Sequence, residues 1–146
     1  MKISLAQSLT TIPIAHRGLH QSEMGCPENS LFAARRAIDA GYAIEIDLQL
    51  SGDEQAVVFH DYKLDRMTSE KGYIRNYNIA ELQNIKLDGS AEHIPTLNSL
   101  LKLVGGKVPI LIELKDQIQT FYATDGVLER ATAEALGKYN GVVAVM

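Results

Sequence analysis

At 146 residues, 46% of them hydrophobic and 22% charged, the chain has the make-up of a single globular domain with enough apolar material for a core. Its 18 acidic and 14 basic side chains leave a formal charge of -4, which excludes a protein that grips nucleic acid through a dense basic surface. No segment approaches the roughly 20 apolar residues of a membrane span, residues 1–14 lack the apolar stretch of a signal peptide, and Cys26 stands alone, so the expected location is the cytoplasm.

Residues 12–16 read as a first buried strand, closed by His16 and Arg17. A helix is expected over 29–40, with Leu31, Ala34 and Ile38 on one face, Asn29 as its N-cap and Gly41 as its stop. Residues 43–50 form the clearest strand, and 57–60 a shorter one ending at His60. The stretch 62–95 breaks the pattern: it is polar, carries Gly72 and Gly89, and holds one short helix announced by the Asn78-Ile-Ala-Glu81 capping box. From Thr96 a helix runs back to the Gly105-Gly106 turn, and 108–115 make another strand. A last helix over 125–139 aligns Leu128, Ala131 and Ala135, exits at Asn140-Gly141 and leads to the apolar run 142–145. Strands alternating with helices imply a parallel sheet covered by helices, here as one domain over 1–146 with 62–95 as an insertion.

Within 43–50 the period of two sends Ile44, Ile46, Leu48 and Leu50 to one face and Glu45, Asp47 and Gln49 to the other. In a closed parallel barrel the apolar face meets the helices, leaving two inward acids with Cα atoms roughly 6.5 Å apart. Such a pair requires a cation, a proton or basic partners, and a hard divalent ion is the economical choice. Residues 108–115 repeat the arrangement, with Leu111, Glu113 and Lys115 opposite Ile110, Ile112 and Leu114. The bland alternative is the wet face of an antiparallel sheet, where alternating polar residues need no ion. His16 and His60 both end strands, the edge where α/β barrels carry their chemistry, whereas His20 and His93 have no such placement. Arg17, beside His16, is placed to fork onto a phosphate.

The motifs Ala15-His-Arg-Gly18, Pro27-Glu-Asn-Ser30, Glu45-Ile-Asp47, Phe59-His-Asp61, Leu64-Asp-Arg-Met-Thr68, Ile94-Pro-Thr-Leu97 and Ile112-Glu-Leu-Lys115 occur in this order. Through them the chain resembles the glycerophosphodiester phosphodiesterases. The resemblance implies an α/β fold of the TIM-type (β/α)8 barrel, with about its first half present and a small insertion after the second strand, since a whole barrel takes ~250 residues. It further implies one divalent cation, Mg²⁺ or Ca²⁺, on Glu45, Asp47 and Glu113, a phosphate held by Arg17 and Lys115, and His16 and His60 as the acid/base pair. The implied reaction is hydrolysis of a small-molecule glycerophosphodiester to glycerol 3-phosphate and an alcohol, and Glu28 is expected only to shape its loop and the start of the first helix. Two other readings accompany this one: a lipid phosphodiesterase of the sphingomyelinase D type, and an inactive fragment that forms a homo-oligomer through its open barrel edge.

Overall fold

The computed structural model describes residues 10–117 and 126–146. Four strands, β1 (Ile14–Ala15), β2 (Ala43–Leu50), β4 (Ile110–Leu114) and β5 (Val143–Val145), lie side by side in that order, each pair parallel. Parallel neighbours need crossovers, and helices supply them. These are α1 (Leu31–Asp39) between β1 and β2, α3 (Leu97–Val104) between β2 and β4, and α4 (Val127–Leu136) between β4 and β5. The short α2 (Ile79–Leu82) stands apart, opened by the expected capping box of Asn78 and Glu81.

Every residue of β2 is buried, so the strand is covered on both faces. Ile44, Ile46, Leu48 and Leu50 join Ile110 and Ile112 of β4 in a core closed by Ala34 and Ala37 of α1, by Leu97, Leu100, Leu101 and Val104 of α3, and by Leu128 of α4. Each large apolar side chain so buried stabilises the fold by about 2 kcal/mol. This is the face the alternation assigns to the helices, and it leaves Glu45, Asp47 and Gln49 on the opposite side of the sheet.

Three expectations need correction. The N-cap of α1 is Ser30, extended at φ -93°, whose hydroxyl accepts from the Ala33 N–H at 3.0 Å, while Asn29 one residue earlier takes a left-handed backbone (φ 55°). The last helix ends at Leu136, one turn before Asn140-Gly141, and its expected first residue, Asp125, lies outside the described residues. The strand expected over 57–60 is β3 (Ala56–Val58), and it runs antiparallel to β2 instead of joining the parallel repeat.

The direction of β3 has a specific geometric result. Ile44 pairs with both Ala15 and Ile110, and Leu48 with both Val58 and Leu114, so β1 and β3 share the edge of β2 opposite β4. They approach each other head to head and both turn away over the stretch Glu45 to Asp47.

The insertion is polar overall but has a core of its own. Val57 and Phe59, on the β3 face turned from the main core, pack with Leu64, Ile74, Leu82, Leu87 and Ile94. Two 3-10 turns, Leu64–Arg66 and Ile74–Asn76, wind around this cluster. Among the described residues no helix is long and apolar enough to cross a membrane.

Candidate active site

Glu45 and Asp47 point from the middle of β2, and Glu113 from β4 directly opposite Asp47 in register. One carboxylate oxygen from each lies within 4.8 Å of the others. Glu45 and Asp47 are almost fully buried, and Glu45 Oε1 and Asp47 Oδ1 have no hydrogen-bond partner. A buried, unpaired carboxylate oxygen is costly, so Glu45 Oε1 fits a cation as its missing ligand, whereas Asp47 Oδ1 already has the Lys115 ammonium 2.8 Å away. Burial, with Asp47 and Glu113 adding like charge, pushes the Glu45 carboxyl above its usual range despite a hydrogen bond from the Arg17 N–H.

Lys115, just past the end of β4, sets its ammonium between two of these acids. It is 2.8 Å from Asp47 Oδ1, off the line of a hydrogen bond, and it also meets Glu113 Oε1. Burial works to lower the Lys115 pKa, but the two acids win and hold it above the ordinary lysine value.

Arg17 follows His16 where β1 leaves the sheet. Its left-handed backbone (φ 55°) aims the amide at Glu45 Oε2, 2.8 Å away. The turn closes through Gly18, which has φ 78° and where any Cβ would lie 2.8 Å from the Ala33 Cβ, so only glycine fits against α1. The Arg17 guanidinium donates to Glu28 Oε1 at 2.9 Å and stands 3.4 Å from Asp47 Oδ2. His16 itself is exposed, 4.0 Å from Glu45 Oε2.

His60 arrives from the other direction, two residues past β3. Its Nδ1 lies 2.6 Å from Asp61 Oδ1, and its carbonyl accepts from Gln49 Nε2 at 2.9 Å. A carboxylate at Nδ1 fixes the ring and leaves Nε2 for proton transfer. His60 lines a cavity of about 500 Å³ together with Asp61, Tyr62, Glu113 and Lys115.

All seven residues singled out in the sequence therefore gather at the gap between β1 and β3 or on the strands beneath it. Four residues to which the sequence gives no place in the site, Asn29, Glu28, Asp61 and Arg66, join them. Asn29 donates from Nδ2 to Asp47 Oδ2 at 2.8 Å and accepts from the Asp47 N–H at 3.3 Å, which fixes one of the candidate ligands. Glu28 does more than shape its loop: it receives both Arg17 and Arg66, and although burial works to raise its pKa, the two guanidinium groups hold it below the usual range. Asp61 is held down at about 2, chiefly by hydrogen bonds from Arg66. The sequence signal for these was their place in the quoted motifs, Pro27-Glu-Asn, His60-Asp and Leu64-Asp-Arg.

A sequence model described as the glycerophosphoryl diester phosphodiesterase family matches residues 16–140. The glycerophosphodiester phosphodiesterase of Caldanaerobacter subterraneus subsp. tengcongensis is 33% identical over 142 residues, covering 90% of this chain and 55% of the relative. Among solved structures, an Oleispira antarctica phosphodiesterase in complex with the product sn-glycerol-3-phosphate superposes with a TM-score of 0.79 at 29% identity, over 94% of this chain and 57% of that one. A glycerophosphodiester phosphodiesterase from Thermotoga maritima gives 0.73 at 30% identity, over 92% and 52%. The sheet and its helices are part of the TIM-type barrel of these structures, and the chain spans about half the length of the relatives it matches.

Proposed function

Because the chain belongs to the glycerophosphoryl diester phosphodiesterase family, we propose that it supplies the catalytic half of an enzyme that hydrolyses glycerophosphodiesters to glycerol 3-phosphate and an alcohol. The observation that carries this reading is the trio Glu45, Asp47 and Glu113, gathered within 4.8 Å with Glu45 Oε1 buried and unpaired, and flanked by two cations and two histidines. The hard oxygen donors suit Mg²⁺ or Ca²⁺. Such an ion, when bound, supplies positive charge against which a phosphodiester's own charge is offset.

The remaining chemistry falls to the side chains. Arg17 and Lys115 both rest on carboxylates in the free protein, and both would exchange those partners for phosphoryl oxygens once the trio is neutralised, orienting the diester over β2. His60, with Nδ1 held by Asp61, presents Nε2 to take or give a proton, and the exposed His16 does the converse on the other side of the gap. One ring removes a proton from the nucleophile, either water itself or the glycerol 2-hydroxyl that gives a cyclic phosphate for water to open, while the other protonates the departing alkoxide. The cytoplasm, with its soluble glycerophosphodiesters, is the location this reading favours.

The test is release of glycerol 3-phosphate from glycerophosphocholine with Mg²⁺ or Ca²⁺. Turnover should vanish with a chelator and in His16→Ala and His60→Ala. Undiminished turnover in either histidine variant, with the cation present, would overturn the assignment.

A further inference from the structure

Arg66 has no part in the scheme above, yet both charged arms of the site meet on it. Its Nε and Nη2 grip the two oxygens of Asp61 at 2.7 and 2.9 Å. Its Nη2 and Nη1 grip the two oxygens of Glu28 at 2.7 and 3.2 Å. The oxygen of Asp61 that receives Nη2 is the one that holds His60, and the oxygen of Glu28 that receives Nη2 is the one that holds Arg17. A single nitrogen thus stands one carboxylate away from each functional group.

We propose that Arg66 is a positioning residue for the hydrolysis, setting the separation between His60 and Arg17 by clamping Asp61 and Glu28 in one guanidinium plane. This inference rests on the phosphodiesterase reading. The three partners come from separate parts of the chain: Glu28 from the loop before α1, Asp61 from the exit of β3, and Arg66 from a 3-10 turn of the insertion. That turn is anchored by fully buried Leu64 and by Met67 against the small core, so the guanidinium is tied to a packed body. Arg66 is about half exposed, and ion pairs so exposed contribute little to stability. What the clamp supplies is orientation, and it requires arginine: a lysine ammonium carries the charge but cannot fork onto two carboxylates in a plane.

The experiment compares Arg66→Met and Arg66→Lys with the unaltered full chain in saturating Mg²⁺ or Ca²⁺. It reads kcat and KM on glycerophosphocholine, the thermal midpoint, and the imidazole nitrogens of His60 by long-range ¹H–¹⁵N spectra, which need no turnover. For Arg66→Met we expect kcat lower by about 10- to 100-fold, a midpoint lower by no more than a few degrees and shifted His60 nitrogens, with partial rescue by ethylguanidinium. Arg66→Lys should recover less than half of the loss. Full turnover in Arg66→Lys, or unshifted His60 nitrogens in Arg66→Met, would overturn the proposal. Should Arg66→Met not fold, the two arms are read separately: Asp61→Asn should lower kcat and Glu28→Gln should raise KM, and no effect from either would overturn it. If the unaltered chain turns over no diester, the phosphodiesterase reading fails on its own, and the His60 spectra still decide the clamp.

Discussion

Asp47 and Glu113 stand opposite each other in register on adjacent parallel strands, and the ammonium of Lys115 reaches both carboxylates. The lysine is the internal counter-ion of a pair that would otherwise repel. A divalent cation entering the trio must compete with it. Lys115→Met should therefore bind Mg²⁺ or Ca²⁺ more tightly than the unaltered chain, by about tenfold or about 1.4 kcal/mol in isothermal calorimetry. Weaker binding in the variant would mean that the cation does not use these carboxylates.

Asn29 holds Asp47 through two hydrogen bonds from a left-handed backbone. Partners of a ligating carboxylate typically tune affinity by about 10- to 100-fold, so Asn29→Gly, which keeps the backbone comfortable but removes the amide, should weaken cation binding on that scale. Calorimetry on Asn29→Gly beside Asn29→Ala separates the two effects. The alanine variant should add a loss of stability in urea that the glycine variant lacks.

Gly18 leaves no room for a methyl group between the β1 exit and α1. Gly18→Ala combines a left-handed backbone with a clash against Ala33, and it should cost about 2 to 4 kcal/mol in urea unfolding with the slope unchanged. A midpoint equal to that of the unaltered chain would show that the turn relaxes freely.

The Asp61 carboxyl sits at about 2, held there chiefly by Arg66. A carboxylate whose folded pKa lies below its unfolded one adds its full stability above the unfolded value and loses it as pH falls through the folded one. Asp61→Asn should thus be less stable than the unaltered chain by about 1 kcal/mol at pH 6, allowing for solvent screening. The gap should close between about pH 4 and pH 2 in acid-titrated urea unfolding. A gap that stays constant down to pH 2 would assign the loss to packing.

The sheet was legible in the sequence because Ile44 to Leu50 alternate strictly and Ile110 to Leu114 do so apart from Leu111, and a period of two has one structural meaning when one face is wholly apolar. The acids and Lys115 followed from the same alternation. The direction of β3 did not, since three residues, Ala56 to Val58, carry no mark of which neighbour they pair with. Asn29 and Ser30 are both good N-caps, and only the contact with Asp47, 18 residues away, decides between them. The clamp of Arg66 on Glu28 spans 38 residues and joins charges that on their own read as a solvated surface.

The meeting of β1 and β3 on one edge of β2 gives the two histidines separate mechanical grounding. His16 inherits the stiffness of the barrel wall, whereas His60 rides on a hairpin whose footing is the small cluster of Phe59, Leu64, Ile74, Leu82, Leu87 and Ile94. A cavity made by truncating Leu82 or Ile94 should be transmitted first to His60, which follows Phe59 of that cluster directly, and to Arg17 beside His16 only through Arg66 and Glu28. The insertion is in this sense a tuning peg: drift in its apolar residues can retune one arm of the site while the strands that carry Glu45, Asp47 and Glu113 stay fixed.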